Sequence, residues 1–329
     1  MSSKMKILII QTAFLGDVIL ATPIIERLKE QGKDYSLDFL LRKGNESVLL
    51  NHPHLNKVLI YDKKNSKYIN LIRILKEIRK ERYDYVININ RFFTAGLITV
   101  LSGSKNTVGF NKNPFSFLFS RSLVHRLDQH EVDRNLSLIS MLAGSGFRRP
   151  QIYPSATDFE RVKTSSPYIC LAPATVWFTK QLPAEKWCEL IRKLPGNLLI
   201  YLIGSETDFE LCEQIRTESN HPMIENLAGK LSLLQSAALI KNARMTVSND
   251  STPVHLASSM NAPLIIVYCS TIPGFGFGPL SEDSVIVETD KVLACRPCGL
   301  HGKRKCKEGH FACSDMDMDK IANLIKSRL

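Results

Sequence analysis

The sequence predicts an α/β protein made of two consecutive doubly wound domains. Short apolar segments alternate with segments of helical periodicity from the start, which is the pattern of βαβ units that build parallel sheets. The chain has 329 residues, about twice the length of a typical single domain. Residues 148–167 lack periodicity and are rich in proline, serine and threonine, so we divide the chain into domains at 1–155 and 156–329.

Each half contains its own series of alternating elements. The predicted strands of the first half are 6–10, 37–41, 58–61 and 85–89. Its helices include 18–29 and 68–81, and the second has lysine and arginine around an apolar face, which alone indicates a solvent-exposed basic surface. In the second half, a terminal helix follows strands at 168–172, 198–203, 244–247 and 264–268 and helices at 184–193, 207–218, 232–241 and 253–260.

The composition is that of a globular protein. Hydrophobic residues make up 44% of the chain and charged residues 23%. No segment approaches the roughly 20 consecutive apolar residues of a membrane-spanning helix. Lys4 and Lys6 precede an apolar run, as in a secretory signal, but Asp17 interrupts the run and no small-residue cleavage site follows. We therefore expect a strand at this position and a cytoplasmic protein.

The excess of basic over acidic residues lies entirely in the first half of the chain. Residues 1–150 contain 24 basic and 13 acidic residues, whereas residues 151–329 contain 19 of each. Such an asymmetry indicates that the first half meets an anionic partner, which could be a nucleic acid, a membrane surface or a phosphorylated substrate. Charge alone does not choose among them.

Ligands of doubly wound sheets bind beyond the carboxyl ends of the strands, so the loops after the strands hold the candidate site residues. The first such loop, residues 11–17, lacks the G-x-G-x-x-G pattern of nicotinamide-cofactor sites. It ends in Asp17, at the start of a helix. A carboxylate there can act on a ligand, or it can simply cap the helix.

Two loops of the second half have features of a phosphate site. Lys180 precedes Pro183 at a predicted helix start, where it either contacts phosphate or is only solvated. Residues 248–255 place Asp250, Ser251 and Pro253 between a strand and a helix, whose free N–H groups form an anion site. The alternative for Asp250 or Ser251 is ordinary capping of that helix.

Five short motifs in chain order resemble those of one known family. They are Gly16-Asp17-Val18 with Thr22-Pro23, Lys180 with Pro183 and Trp187, Gly204-Ser205-Glu206, Asn249-Asp250-Ser251 with Pro253 and His255, and Cys295-Arg296-Pro297-Cys298 with Gly309-His310 and Cys313. Over nearly its whole length the chain resembles the ADP-heptose:lipopolysaccharide heptosyltransferases, glycosyltransferase family 9. The pattern is most similar to the heptosyltransferase II type.

The resemblance implies a GT-B architecture, with two Rossmann-like domains facing a central cleft. It implies an inverting transfer of L-glycero-D-manno-heptose from ADP-heptose to the inner core of lipopolysaccharide, with Asp17 as general base. We expect that the transfer requires no divalent metal, because no Asp-x-Asp motif directly follows any of the predicted strands. The implied donor contacts are Lys180 for the phosphates, Glu206 for the ribose, and, beside the diphosphate and heptose, Asp250, Ser251 and Thr252.

The resemblance also gives the basic first half a role as acceptor domain. The implied acceptor is phosphorylated lipid A-Kdo at the inner face of the inner membrane, with the protein as a peripheral membrane protein. The candidate acceptor residues are Gly16, Arg79, Lys80, Arg82, Arg91, Arg121 and Arg126. The motifs depart from the family pattern at Gln11, Ala174, Gln181, Leu182 and Thr252, which leaves the donor sugar and the acceptor position open.

Four of the eight cysteines cluster near the C-terminus, within residues 295–313. Cys295, Cys298, Cys306 and Cys313, with His301 and His310 among them, supply enough ligands for a structural zinc or iron ion. Their spacing differs from a pair of C-x-x-C knuckles, so reduced thiols in a basic loop are the alternative.

Two other functions are compatible with parts of the sequence. A related glycosyltransferase could use a protein or another glycan as acceptor, or a different nucleotide sugar as donor. A basic nucleic-acid-binding protein would explain the charge and the cysteines, but it would give the loops at the strand ends no role. We therefore expect no nucleic-acid partner.

Overall fold

The computed structural model describes residues 4–329 and divides into two compact units, Met1–Tyr153 and Pro154–Leu329. Each unit contains one parallel sheet of six strands. The strands of the first unit are β1 (Met5–Ile10), β2 (Tyr35–Arg42), β3 (Lys57–Tyr61), β4 (Tyr85–Asn88), β5 (Asn106–Phe110) and β6 (Arg121–Leu123). Those of the second are β7 (Tyr168–Ala172), β8 (Leu199–Leu202), β9 (Ile224–Asn226), β10 (Met245–Asn249), β11 (Leu264–Tyr268) and β12 (Ser284–Glu288).

Helices connect the strands in both units. The first unit contains α1 (Leu15–Ile19), α2 (Thr22–Lys29), α3 (Lys67–Glu81), α4 (Phe93–Leu101), α5 (Glu131–Ser137) and α6 (Ser140–Ala143). The second contains α7 (Ala156–Arg161), α8 (Ala184–Arg192), α9 (Phe209–Ser219), α10 (Leu233–Asn242), α11 (Thr252–Met260) and α12 (Met318–Lys326). Across residues 4–329, no helix has the length and apolar character needed to span a bilayer.

Both sheets have a point where the strand order reverses. The order is β3-β2-β1-β4-β5-β6 in the first unit and β12-β11-β10-β7-β8-β9 in the second. The reversals therefore lie between β1 and β4 and between β10 and β7, and ligands of doubly wound sheets bind beside such points.

The central strands form the cores because helices cover both faces of each sheet. All five residues of β7 and of β11 are buried, as continuous apolar runs in parallel sheets predict. Trp187 on α8 is fully buried and anchors the larger core, which also includes residues of α9 and α12. These cores fix the strand ends from which the site residues project.

The structure differs from the sequence-based elements in three ways. The helix predicted at 18–29 is two helices, α1 and α2, because the chain turns at Ala21. The strands β5, β6, β9 and β12 are additional to the predicted ones, and each contains at least one exposed position that interrupts the apolar pattern. The stretch 148–167 contains the short helix α7, which Ser155 caps by accepting from the N–H of Asp158.

Candidate functional site

Asp17 lies beyond the carboxyl end of β1, beside the reversal point of the first sheet. It occupies the first turn of α1, directly after Gly16, and its Oδ2 accepts a 2.9 Å hydrogen bond from the backbone N–H of Phe14. Asp17 thus caps the helix start with one oxygen. Its Oδ1 accepts no hydrogen bond from the rest of residues 4–329, so this oxygen is available to a ligand.

The surroundings of Asp17 favour its protonated form. Burial raises the pKa of the carboxyl to about 6, and the negative charge of Glu131 adds to the increase. The Phe14 N–H and the positive charges of Arg91 and Arg42 act in the opposite direction. A carboxylate with this pKa is mostly ionised at neutral pH and still basic enough to accept a proton.

Three cations lie at the carboxyl ends of β2, β3 and β4, at the same edge of the sheet as Asp17. Arg42 ends β2 and lies over the ring of Phe14, with 5.0 Å between its guanidinium carbon and the ring centroid. The Nζ of Lys63, after β3, donates to the carbonyl of Thr12 at 2.8 Å. Arg91 comes shortly after β4. Burial lowers the pKa of Lys63, and the charge of Arg42 lowers it further.

An asparagine joins the two strands at the reversal point. The Oδ1 of Asn90 accepts hydrogen bonds from the N–H of Thr12 at 2.6 Å and from its hydroxyl at 2.9 Å. Its Nδ2 donates to Gln11. Gln11, Thr12 and Asn90 are all buried, so these contacts hold the Asp17 loop against β4.

The direction of α3 corrects part of the predicted acceptor site. The helix returns the chain to the amino end of β4, so Arg79, Lys80 and Arg82 lie at the opposite edge of the sheet from Asp17. Arg79 donates to the carbonyl of Leu101, at the end of α4. These three residues therefore do not form the acceptor site beside Asp17.

Two other predicted acceptor residues belong to the short strand β6 and its exit. Arg121 is exposed at the first position of this strand. Arg126 follows the strand, at the same edge as Asp17, and forms an exposed 2.9 Å ion pair with Asp128. Their acceptor role stays a prediction.

In the second unit, Lys180 and Asp250 meet at the carboxyl ends of β7 and β10. The Nζ of Lys180 lies 2.7 Å from the Oδ2 of Asp250, and both side chains are at most 15% exposed. The same oxygen accepts a 2.7 Å hydrogen bond from the hydroxyl of Thr271, which follows β11. Asp250 therefore positions the lysine, whose Nζ makes no other ion pair or hydrogen bond within residues 4–329. Its role as a phosphate ligand stays a prediction.

The other predicted donor residues surround this pair. Ser251 precedes α11 and Thr252 begins it, so their backbone N–H groups are at a helix start. Asn249, at the end of β10, donates to the carbonyl of Pro173 at 2.6 Å and joins β10 to β7 as Asn90 joins β4 to β1. Glu206 is exposed after β8, the strand next to β7.

The cysteine-rich segment, residues 295–313, packs against the residue before Lys180. The hydroxyl of Thr179 accepts from the N–H of Lys303 at 2.8 Å and from the hydroxyl of Ser270 at 2.9 Å. Arg296 donates to the carbonyls of Cys269 at 2.6 Å and Thr271 at 2.8 Å. The segment is therefore attached to the strand ends that carry the lysine and its partners.

The four clustered cysteines line one cavity of about 120 Å³ within this segment. Burial raises the pKa of the Cys298 thiol, and it raises that of Cys313 to about 11. Within residues 4–329, no three histidine, cysteine or acidic side chains are arranged closely enough to hold a metal ion. The thiols therefore share a cavity without ligand geometry, and the zinc or iron site stays a prediction.

Comparison with known proteins identifies the family. A family model described as glycosyltransferase family 9 (heptosyltransferase) matches residues 71–309 of the chain. The chain belongs to glycosyltransferase family 9. It is therefore an enzyme that transfers glycosyl groups, and the resemblance seen in its motifs is confirmed.

Lipopolysaccharide heptosyltransferases are similar to the chain over most of its length. Lipopolysaccharide heptosyltransferase 3 of Escherichia coli is 25% identical over 277 residues, which cover 78% of this chain and 82% of that protein. Lipopolysaccharide heptosyltransferase 1 of Campylobacter coli is 25% identical over 346 positions and covers 98% of both chains. Because these relatives carry different type numbers, the heptosyltransferase II type stays a prediction.

A solved heptosyltransferase structure shares the fold. The structure of E. coli heptosyltransferase WaaC with ADP has a TM-score of 0.77 and 20% identity, and it covers 99% of this chain and 100% of that one. The predicted α/β fold with two doubly wound sheets is thereby confirmed.

Sequence reasoning missed several residues that contact the site. Arg42 could have been found, since it ends the strand next to β1 in the sheet. Glu131 and Thr271 come from distant parts of the chain, and no local motif marks them.

Proposed function

We propose that this enzyme transfers L-glycero-D-manno-heptose from ADP-heptose to the phosphorylated inner core of lipopolysaccharide, on lipid A-Kdo, with inversion at the anomeric carbon. The names of its relatives support the acceptor class, and the structure of WaaC with ADP supports the donor. The reaction would take place on the cytoplasmic side of the inner membrane. The observation that carries the proposal is Asp17, a carboxylate with a raised pKa at the reversal point of the first sheet.

Asp17 acts as the general base in this proposal. Its free Oδ1 takes the proton of the acceptor hydroxyl while that oxygen forms a bond to the anomeric carbon. The bond between this carbon and the phosphate oxygen breaks on the opposite side, and ADP leaves with the electron pair. The positive charges of Arg42 and Arg91 act on the base, and Lys63 lies against the same loop through its contact with Thr12, so this edge of the sheet suits an acceptor that carries phosphate.

The second unit stabilises the leaving group. Lys180, held by Asp250, and the N–H groups at the start of α11 provide fixed positive partners for the charge that develops on the diphosphate. Glu206 accepts hydrogen bonds from the ribose hydroxyls. Ser251 and Thr252 lie where the diphosphate and the heptose would be bound.

Transfer assays with different donors and acceptors test the proposal directly. The purified enzyme is incubated with either ADP-heptose or UDP-sugars as donor and with heptose-deficient lipopolysaccharide, a protein or an unrelated glycan as acceptor, and the product is measured by mass spectrometry. We expect one added heptose with ADP-heptose and none with UDP-sugars. Transfer from a UDP-sugar, or to a protein or an unrelated glycan only, would favour the related glycosyltransferase instead.

The pH dependence of kcat/KM is expected to report the pKa of Asp17. The base works only when deprotonated, so kcat/KM rises with pH through about 6 and levels off above that value. Initial rates at subsaturating acceptor between about pH 5 and pH 8 measure this dependence. A rate independent of pH over that range would contradict the assignment.

Glu131→Gln is expected to shift this dependence toward lower pH. The substitution removes a negative charge that raises the pKa of Asp17, while the amide oxygen can still accept from Arg134, which donates its Nε to Glu131 at 2.8 Å. The matched control is Asp133→Asn, an exposed acid of the same helix that does not contribute to the shift. An unchanged midpoint in Glu131→Gln would show that the two carboxylates do not interact.

We also propose that the cysteine-rich segment binds a structural zinc or iron ion through Cys295, Cys298, Cys306 and Cys313. The donor set suits either metal, and the four side chains line the same cavity. The thiols would have to move into ligand geometry as the metal binds. We expect metal analysis to give about one ion per chain and a large loss in Cys298→Ser, whereas the control Cys170→Ser keeps the metal because Cys170 is buried in β7. An equal metal content in both variants would exclude the site.

A further inference from the structure

Helix α3 has a second apolar surface besides its buried face. The inner side of the helix is already packed against the sheet, because Ile74 and Ile78 are fully buried in the core of the first unit. On the outside, Tyr68, Ile69 and Ile72 are 75%, 70% and 55% exposed. These three residues add nothing to the core, and clustered exposed apolar side chains mark interaction surfaces.

Cations continue the same outer surface along the helix. At 100° per residue, the three apolar residues fall within an arc of about 140° together with four cations. One of these, Arg79, donates to the carbonyl of Leu101. The other three are Arg73, Lys76 and Lys80, and we name these three cations and the three apolar residues the α3 docking face. No carboxylate among residues 4–329 pairs with its three cations. The acids of the helix, Glu77 and Glu81, are held instead by Lys57 and Lys6.

We infer that the α3 docking face binds the surface of an anionic lipid bilayer. Isoleucine and tyrosine side chains can enter the boundary between headgroups and acyl chains, while lysine and arginine pair with anionic headgroups. A second copy of this chain is a poorer occupant, because a symmetric contact would place the cations of both copies against each other. The inference rests on the proposed function, in which the acceptor is anchored in a lipid surface.

The position of α3 agrees with this role. The helix starts at the carboxyl edge of the first sheet, shortly after Lys63, and its three exposed apolar residues lie at that end. Asp17 follows β1 at the same edge. The apolar end of the α3 docking face would therefore hold the bilayer near the edge to which a lipid-anchored acceptor must come, while Lys80 lies toward the opposite edge.

Vesicle binding in the absence of acceptor tests the inference. The enzyme is sedimented with phosphatidylcholine vesicles that contain or lack phosphatidylglycerol. We expect binding only to the anionic vesicles, weakening as salt is added. For Arg73→Gln/Lys76→Gln/Lys80→Gln we expect about 100-fold weaker binding. The control Lys230→Gln/Lys320→Gln/Lys326→Gln removes the same charge from exposed positions of the second unit and should bind like the parent.

A second variant tests the apolar part of the face. Tyr68→Ser/Ile69→Ser/Ile72→Ser is expected to retain weak binding at low salt and to lose the binding that resists salt. Light scattering on the same samples measures the oligomeric state. Parent-like vesicle binding in both face variants would overturn the inference, as would an apolar variant that changes only the oligomeric state.

Transfer to a soluble, deacylated acceptor separates this inference from the proposed function. Both face variants are expected to transfer heptose to it at the parent rate, because none of the six residues touches the site. An enzyme that binds anionic vesicles through this face but transfers nothing from ADP-heptose would overturn the proposed function alone. An enzyme that transfers heptose but does not bind anionic vesicles would overturn the inference alone.

Discussion

Asp17→Asn is expected to reduce transfer by about 100-fold to 10,000-fold, the usual contribution of a general base. The amide can still accept the hydrogen bond from the N–H of Phe14, so the helix start and the loop are retained. What it loses is the ability to take the proton of the acceptor. The change should appear in kcat, measured with saturating ADP-heptose and acceptor, while ADP affinity stays at the parent value.

The same variant is expected to be more stable than the parent at neutral pH. The pKa of Asp17 is higher in the folded chain than its ordinary value, so its ionised form destabilises the fold. We expect the free energy of unfolding to rise by about 1–3 kcal/mol near pH 8, with the gain disappearing below about pH 4. Denaturant titration measures it. The control Asp34→Asn removes an exposed carboxylate and should change neither rate nor stability.

An Asp17→Asn variant with the activity of the parent would contradict the proposed mechanism. An inactive variant without the gain in stability would instead mean that Asp17 is not destabilised by its surroundings. The two measurements are therefore read separately.

Lys180→Met is expected to weaken ADP binding by roughly 10-fold to 100-fold, because a charge-assisted contact to phosphate is lost. It should also destabilise the second unit by about 3 kcal/mol, since Asp250 would remain as a buried carboxylate without its cation. Calorimetric ADP titration and thermal unfolding measure the two effects. The control Lys186→Met breaks a partly exposed ion pair with Glu189 and should alter both by little.

The double variant Lys180→Met/Asp250→Asn distinguishes the two roles of the lysine. The amide introduced at position 250 can still accept from the hydroxyl of Thr271, and no buried charge is left, so stability should return to within about 1 kcal/mol of the parent. ADP binding should stay weak. Recovery of ADP affinity in the double variant would contradict phosphate binding by Lys180.

The sequence was sufficient for the part of the fold that follows from local pattern. Strands β7 and β11 and residues 7–10 of β1 are buried, continuous apolar runs, and residues that follow such strands necessarily collect at one edge of a parallel sheet. This is why Asp17 and Lys180 could be selected from the amino-acid sequence alone.

Other features depend on tertiary structure and could not be derived from local sequence patterns. The strand β6 has three residues, none of them buried, so its sequence carries no apolar signal. A count of charges predicted the anionic partner but not its position, because it ignores the direction in which α3 runs and so placed Arg79 and Lys80 beside Asp17. Glu131 affects Asp17 only because α5 packs near α2.

The side chain of Lys180 packs against a residue that has no side chain. Gly302 has a positive φ of 76°, and a methyl group at that position would stand 2.8 Å from the Cγ of Lys180. The hydrocarbon part of the lysine thus rests directly on the backbone of the cysteine-rich segment. The position of the Lys180 ammonium group therefore depends on main-chain atoms of a loop more than 100 residues further along the chain. Displacement of that loop would move the positive charge even if every residue that binds the nucleotide sugar were unchanged.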